Sequence, residues 1–257
     1  MERARFALHR AAPFAALLLA VFGCGGAAAL SERSGGTASY DTGKAAYDRH
    51  DWVQAQLDLK AYVEQYPGTD RTDDALYYLG LAYFQTKDYA LASTQFDRLT
   101  RDFPQSTMQP DAMFYLARCD DLDSRPAPLD QTETQRAIDR YQQFPAAYPD
   151  HAHSGEAKQR MQALRDRLAE KRFRNGRLYT KLKQPQAAAI YLRELIDDFP
   201  ESRWAGDAAV LLAEQLVKLG KREEAIEALR RLPPAASDEM KSRAASELRE
   251  LGAAATP

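Results

Sequence analysis

Histidine, cysteine and long apolar runs are scarce in this chain, and neither sign of charge dominates it. The 257 residues hold four histidines and two cysteines, and 35 basic against 37 acidic side chains leave a net charge of −2. His9 falls in an N-terminal leader, which leaves His50, His151 and His153. His151 and His153 have the spacing of a surface metal pair, but no cysteine or carboxylate cluster accompanies them to complete a ligand set, so no metal site is expected. A glycine-rich phosphate loop, a nucleophile elbow and an H-E-x-x-H helix are all missing, which removes the recognisable sequence routes to phosphoryl transfer, acyl transfer and zinc hydrolysis. Acidic pairs such as Asp73-Asp74 and Asp197-Asp198 fall near helix ends, where carboxylates face water or a helix N-terminus. No enzymatic activity and no catalytic cofactor are expected. The one basic run, Lys171, Arg172, Arg174 and Arg177, is short and mixed, whereas a nucleic-acid surface needs clustered cations. Nucleic acid is therefore not an expected partner.

The most apolar stretch, residues 11–22, falls short of the roughly 20 residues needed to cross a hydrocarbon layer about 30 Å thick. Preceded by Arg3, Arg5 and Arg10, it reads as an export signal over residues 1–23. The run Val21-Phe22-Gly23-Cys24 resembles the lipobox of bacterial lipoproteins, with Phe22 standing where a small residue is usual. That resemblance implies a covalent diacylglycerol and N-acyl lipid on Cys24, and attachment to the membrane through the lipid alone. Gly25, rather than Asp, follows the cysteine, which under the lipoprotein sorting pattern implies the periplasmic face of the outer membrane. An ordinary cysteine free to pair with Cys119 in an oxidising compartment is the other reading. Residues 24–39 are mostly Gly, Ala and Ser and read as a tether with a root-mean-square reach of about 20 Å. Cys119 follows Phe114-Tyr115-Leu116-Ala117-Arg118, the setting of a small buried hydrophobe.

What the chain has in quantity is repetition. Four aromatic-proline pairs, Tyr66-Pro67, Phe103-Pro104, Tyr148-Pro149 and Phe199-Pro200, read as helix stops. Twelve residues before each proline stands an alanine, Ala55, Ala92, Ala137 and Ala188, and Ala225 follows 37 residues after the last. Four residues beyond each alanine comes a large apolar side chain, Leu59, Phe96, Tyr141, Leu192 or Leu229, on the same helical face. Twelve residues before the alanine lie Gly43, Gly80, Gly176 and Ala213, with Ala117 taking that place in the third repeat once eight inserted residues are allowed. The expected unit is a pair of antiparallel helices held close by a small residue facing a small residue.

This pattern resembles the tetratricopeptide repeat, whose period is about 34 residues. It implies an all-α solenoid of about five hairpins: repeats 1–3 over residues 40–150, an extended helical connection over 151–182, and repeats 4–5 with a capping helix over 183–251, before a tail at 252–257. The capping helix would begin at Ser237 and carry Met240, Ala244, Leu248 and Leu251. The insertion in repeat 3 falls at residues 120–128, an acidic, proline-containing stretch that reads as a loop. The fourteen-residue surplus before repeat 4 falls within residues 154–182, where Met161, Leu164, Leu168, Phe173 and Leu178 recur at helical spacing.

With a leader, a lipobox and five such repeats, the chain resembles the BamD family of outer-membrane β-barrel assembly lipoproteins. The run Leu164-Arg165-Asp166-Arg167-Leu168-Ala169, followed by Phe173, Gly176, Tyr179 and Lys181, is similar to the opening of that family's fourth repeat. So is Arg118-Cys119 feeding a loop that ends Asp130-Gln131-Thr132. Two positions depart from the family: Arg172 stands where an acidic residue is common, and Tyr191 where an arginine is frequent in contact with the barrel-forming partner. The resemblance implies a BamA-like barrel protein and accessory lipoproteins as partners. It also implies, as ligand, the C-terminal targeting segment of unfolded outer membrane proteins.

Tyr40, Tyr77 and Phe114 are spaced by 37 residues, and Tyr47 and Phe84 lie seven residues after the first two. These rings either form a peptide-binding groove or pack between repeats, and both readings are open. Lys44 and Arg118, each one position after a small residue, offer cations for a terminal carboxylate or are ordinary solvated charges. Two other periplasmic repeat scaffolds are the competing classes. One is a coordinator of cell-envelope division, which usually carries an N-terminal coiled coil that residues 25–39 do not show. The other is a secretin or pilus pilot lipoprotein.

Overall fold

A computed structural model describes residues 39–252, apart from 125, 127, 128, 234 and 235. The expectations for the export signal, Cys24, the tether up to residue 38 and the tail at 253–257 lie outside the described residues.

Turn chemistry sets the helix boundaries. Tyr66, Phe103, Tyr148 and Phe199 each leave helical geometry immediately before a proline, with φ between −125° and −135° and ψ between 54° and 66°. The proline ring excludes the helical conformation for the residue before it, so the helix ends there. The freed carbonyl then finds a donor in the turn. The backbone N–H of Ser106 donates to Phe103, that of His151 to Tyr148 and that of Ser202 to Phe199, at 3.0, 3.2 and 3.0 Å. Buried hydroxyls reinforce two of these turns, Thr72 donating to the Tyr66 carbonyl at 2.7 Å and Ser154 to that of Tyr148.

The tighter turns within hairpins use a left-handed residue. His50, Lys87, Lys183 and Gly220 have φ of 61°, 66°, 56° and 73°. The next N–H reaches back to the carbonyl five residues earlier: Asp51 to Ala46, Asp88 to Tyr83, Gln184 to Tyr179 and Lys221 to Leu216. Among the described residues repeat 3 shows no such left-handed turn residue, and its inserted segment joins the two helices instead.

The result is eleven helices among the described residues: α1 (Tyr40–Asp48), α2 (Trp52–Gln65), α3 (Thr72–Gln85), α4 (Tyr89–Asp102), α5 (Gln109–Asp123), α6 (Thr132–Ala147), α7 (Ser154–Lys181), α8 (Pro185–Asp198), α9 (Ala205–Lys218), α10 (Arg222–Arg230) and α11 (Asp238–Glu250). Each of the first ten packs against the next, α1 also touches α3, and α7 touches α9. The described residues are all-α, a tetratricopeptide-repeat array of five hairpins. Ser237 caps α11, its hydroxyl accepting the Met240 N–H at 3.3 Å, and α11 packs on α9 and α10 with Ala244 and Leu248 buried.

The landmark alanines Ala55, Ala92, Ala137, Ala188 and Ala225 are fully buried, as are Ala117 and Ala213. The close contact inside a hairpin differs from the expected small-on-small meeting. A Cβ on Gly43 would lie 2.6 Å from Leu59 Cγ, one on Gly80 2.7 Å from Phe96 Cε1, and one on Gly176 2.6 Å from Leu192 Cδ2. Each glycine thus receives the large residue four positions after the alanine, a knob seated in a hole. Leu59, Phe96 and Leu192 are fully buried as a consequence, each worth about 1.5–3 kcal/mol of transfer free energy, and Tyr141 is fully buried in the third repeat.

Two further features correct or fill in the sequence reading. The acidic stretch opening at Asp120 is not loop throughout: α5 runs to Asp123, and Asp120 is only 3% exposed. It is held by Arg136 at 2.9 Å and Arg140 at 2.5 Å, both from α6, which is why a carboxylate tolerates that burial. The surplus before repeat 4 is part of one 28-residue helix, α7. Its first half buries Ala157 and Leu164 with Phe114, Tyr141 and Phe144 of repeat 3, and its second half buries Ala169 and Phe173 with repeats 4 and 5. Leu168 packs against both clusters.

Candidate peptide-binding surface

The N-terminal hairpins carry a connected set of rings. Tyr47 on α1 meets Tyr78 on α3 with centroids 5.1 Å apart. Tyr77 and Phe84 on α3 meet Tyr115 on α5 at 6.4 and 5.3 Å. Phe114 lies face to face with His153, at the start of α7, at 4.1 Å with 7° between planes. The rings therefore tie successive repeats together, in the edge-on and stacked arrangements that aromatic pairs prefer.

That placement divides the predicted groove residues. Phe114 is 1% exposed and Tyr40 is 8% exposed, so neither presents a face to a ligand. Phe114 packs with Tyr141 and Phe144, and Tyr40 lies between Tyr62 and the guanidinium of Arg71. Burial pushes the Tyr40 hydroxyl up to about 12 and raises that of Tyr77 as well, so both remain neutral donors. Tyr47, Tyr77 and Phe84 are partly buried and keep some surface. Sequence spacing missed Tyr78, Tyr115 and His153, which make the bridges between repeats. Tyr78 and Tyr115 also stand 37 residues apart, one position after the ladder first recognised, and that second register was the available signal.

The two predicted cations are already engaged. Lys44 Nζ is 2.6 Å from Asp48 and 4.6 Å above the Tyr78 ring. The Asp48 hydrogen bond is the chief reason that its ammonium is held above the usual lysine value. Arg118, its side chain 20% exposed, donates to Glu156 at 3.1 Å and lies over Phe84 and Phe114 at 5.6 and 5.9 Å. Glu156 also accepts from Arg160 at 2.7 Å, and Arg160 reaches Asp121 at 3.1 Å. Burial acts to raise the Glu156 carboxyl, but Arg160 and Arg118 outweigh it and hold the group below the usual carboxylate value. Lys44 and Arg118 thus serve intramolecular pairs, the second bracing α5 against α7.

Cys119 is buried and burial pushes its thiol up to about 12, which makes it an inert filler. His151 and His153 approach Asp111 at 3.7 and 3.4 Å, and no group of three or more His, Cys, Asp or Glu among the described residues is arranged to hold a metal. Among those residues no helix is long and apolar enough to cross a membrane.

The C-terminal hairpins also hold rings. Phe173 stacks on Trp204 at 5.2 Å. Tyr191 stacks on Tyr179 at 5.3 Å with planes 7° apart, so the position where the resembled family often has arginine is a flat aromatic pair here. Arg172 bonds Asp198 and the Glu194 carbonyl and lies over Phe199 at 4.9 Å. It is a structural bracket between α7 and α8.

Comparison with known proteins adds the following. Residues 34–232 match the family described as YfiO, outer membrane lipoprotein. The chain is similar to the outer membrane protein assembly factor BamD of Caulobacter vibrioides, 26% identical over 186 residues that cover 72% of this chain and 61% of that protein. It is also similar to the protein of the same name from Rickettsia prowazekii, 28% identical over 96 residues that cover 37% of this chain and 38% of the relative. The matches thus span less than two thirds of the length of either relative. Among solved structures, MamA of Desulfovibrio magneticus RS-1 is 17% identical, with 75% of this chain and 89% of that chain covered at a TM-score of 0.34. A second MamA structure is 16% identical, with 84% and 95% covered at a TM-score of 0.32. Likenesses at that level carry no argument about function.

Proposed function

The chain belongs to the YfiO family of outer membrane lipoproteins, and from that premise we propose that it is a lipid-anchored subunit of an outer-membrane β-barrel assembly complex. In this reading Cys24 carries the lipid and holds the repeat array at the periplasmic face of the outer membrane. The array docks a BamA-like barrel protein with its accessory lipoproteins, and receives the C-terminal segments of unfolded outer membrane proteins. Its work is to bind and position, not to catalyse.

The observation that carries the proposal is the reach of the family match, which covers every hairpin from α1 to α10. The names of the two relatives, outer membrane protein assembly factors, support the same role. The partly exposed rings Tyr47, Tyr77 and Phe84 offer rigid apolar contact area, and aromatic side chains freeze few torsions on binding.

Affinity purification of the tagged full chain from solubilised membranes tests the proposal. Recovery of a membrane-embedded barrel protein bearing periplasmic domains is the expected result. Recovery of a secretin or of cell-wall synthases instead would replace it with one of the competing classes. In the same preparation the mature N-terminus should carry an acylated Cys24, and Cys24→Ser should release the chain from the membrane fraction.

A further inference from the structure

The surplus length of α7 leaves one side of its second half without a neighbour. Two residues after the small landmark of the first helix stand Ala82, Cys119 and Gln215 in repeats 2, 3 and 5, and none of them is more than 1% exposed. In repeat 4 the same position is Leu178, 51% exposed, and Leu182 one turn later is 55% exposed. Repeat 3 packs on the first half of α7, so the side that a preceding hairpin covers elsewhere is bare here. Arg174, Arg177 and Lys181 interleave with the two leucines at helical spacing, and Lys183 carries the face into the turn before α8. We propose that this face is a second membrane contact, docking on the anionic phospholipid of the leaflet that holds the chain. The proposal rests on the reading of the chain as anchored to the outer membrane. It adds a protein-borne contact to the attachment through lipid alone that the sequence suggested.

Charge selects the partner. Arg177, Lys181 and Lys183 are exposed and have no carboxylate partner among the described residues, whereas Arg174 is held by Glu170 at 2.6 Å. Two other exposed apolar spots show the contrast. Beside Ile190, 58% exposed, Arg193 and Lys221 both pair with Glu224, at 2.6 and 2.8 Å. On α2, Lys60 stands one turn from Leu57, 61% exposed, and lies 4.0 Å from Glu64. Free cations set between free leucines are the composition of a helix face that meets anionic lipid, where each Lys or Arg near the headgroups favours contact about fivefold.

The form of the face separates a bilayer from an acidic protein. A protein carboxylate is fixed in space, and a cation that grips one is braced, as Arg172 is here between Asp198 and the Phe199 ring. Lys181 and Lys183 have no such brace, and Arg177 has only the Phe173 ring at 5.9 Å. Loose cations suit phosphates that diffuse and exchange for one another. Their apolar stems widen the leucine surface while the charged heads reach out to the headgroups. Trp204, half-buried, lines the same recess as Arg174, Arg177, Leu178 and Lys181, and so stands at the edge of the contact, where a membrane interface favours tryptophan. A lipid at the end of a Gly, Ala and Ser segment limits distance but not orientation. The second contact fixes which side of the array meets the bilayer.

Intrinsic fluorescence provides the test, because the chain has two tryptophans and one of them borders the face. The acylated chain carrying Trp52→Phe, in which Trp204 reports alone, is purified from membranes and reconstituted into vesicles whose acyl chains bear bromine as quencher. One set is phosphatidylcholine and the other phosphatidylcholine mixed with phosphatidylglycerol. Trp204 should be quenched in the mixed vesicles, less in phosphatidylcholine, and less again as salt shortens the reach of the charges. R177Q, K181Q and K183Q, all at exposed positions, should each lower the ratio of docked to undocked chain about fivefold, L178S and L182S should lower it too, and K60Q should not. In the converse variant, Trp204→Phe, Trp52 should stay unquenched. Equal quenching in both lipids, quenching of Trp52 instead, or a Trp204 that answers a soluble acidic peptide but neither vesicle would overturn the proposal, the last by assigning the face to a protein. Flotation with the vesicles reads the anchor separately. A chain that floats with Trp204 unquenched refutes the second contact and leaves the anchored reading standing; a chain that does not float refutes both.

Discussion

Replacing Gly80 by alanine tests the packing argument sharply, because two effects of known size oppose each other. Alanine is preferred over glycine inside a helix by about 1 kcal/mol, so propensity alone predicts stabilisation. The added Cβ would sit 2.7 and 2.8 Å from two atoms of the Phe96 ring, closer than real contacts allow, and that rigid ring is fully buried. Overpacking of a filled core costs about 1–3 kcal/mol, and the ring's rigidity places this site at the upper end. The net expectation is a loss of about 1–2 kcal/mol, or a fall in Tm of several degrees for a unit of this size. Gly155→Ala is the control: it too lies in a helix, but nothing approaches its Cβ within 4 Å, so propensity acts unopposed and Tm should hold or rise slightly. Circular dichroism melts of both variants, together with Phe96→Ala and the double variant, complete a cycle. The double variant should lose little more than Phe96→Ala alone, since the methyl enters space the ring has left. Additive losses, or a Gly80→Ala protein as stable as the parent, would refute the knob-in-hole account.

Other consequences follow from single contacts. Lys87 adopts φ of 66°, so Lys87→Gly should raise stability by about 1 kcal/mol in a chemical denaturation curve, the same change at exposed Lys60 in mid-helix lowering it. Asp120→Ala should cost about 2–3 kcal/mol by the same measurement, because Arg136 and Arg140 lose a buried partner, although both retain access to water. Glu156 has a folded value below its ordinary one near 4.5, so its contribution is complete above that value and is lost as pH falls through the lower folded value. Thermal melts from pH 6 down to pH 3 should therefore fall more steeply for the parent than for Glu156→Gln, and parallel curves would dismiss the Arg118–Glu156–Arg160 bracket.

The repeat was legible because its landmarks have local causes. Proline forbids helix at Tyr66, Phe103, Tyr148 and Phe199, and each stop stands at the same offset from a buried alanine on the helix it ends. The partner of each glycine was not legible, since only the facing helix reveals that Gly80 receives Phe96 and not Ala92. Nor was the fate of Asp120: a run of acidic residues beside prolines has the composition of a loop, and its burial depends on two arginines 16 and 20 positions away. The binding surface was half legible. Ring positions at a 37-residue spacing were visible, but whether a ring faces solvent or the neighbouring repeat depends on helix rotation, which buried Phe114 and Tyr40. Free cations were invisible for the same reason, because pairing is a property of three-dimensional neighbours.

We propose that this repeat array serves the assembly of outer-membrane β-barrels. Depleting the chain in its own organism and quantifying outer membrane proteins by mass spectrometry tests that most directly. A broad fall in β-barrel proteins is expected, with lipoproteins and inner membrane proteins unchanged, and restoration by the full chain but not by Cys24→Ser. Normal barrel levels after complete depletion would contradict it.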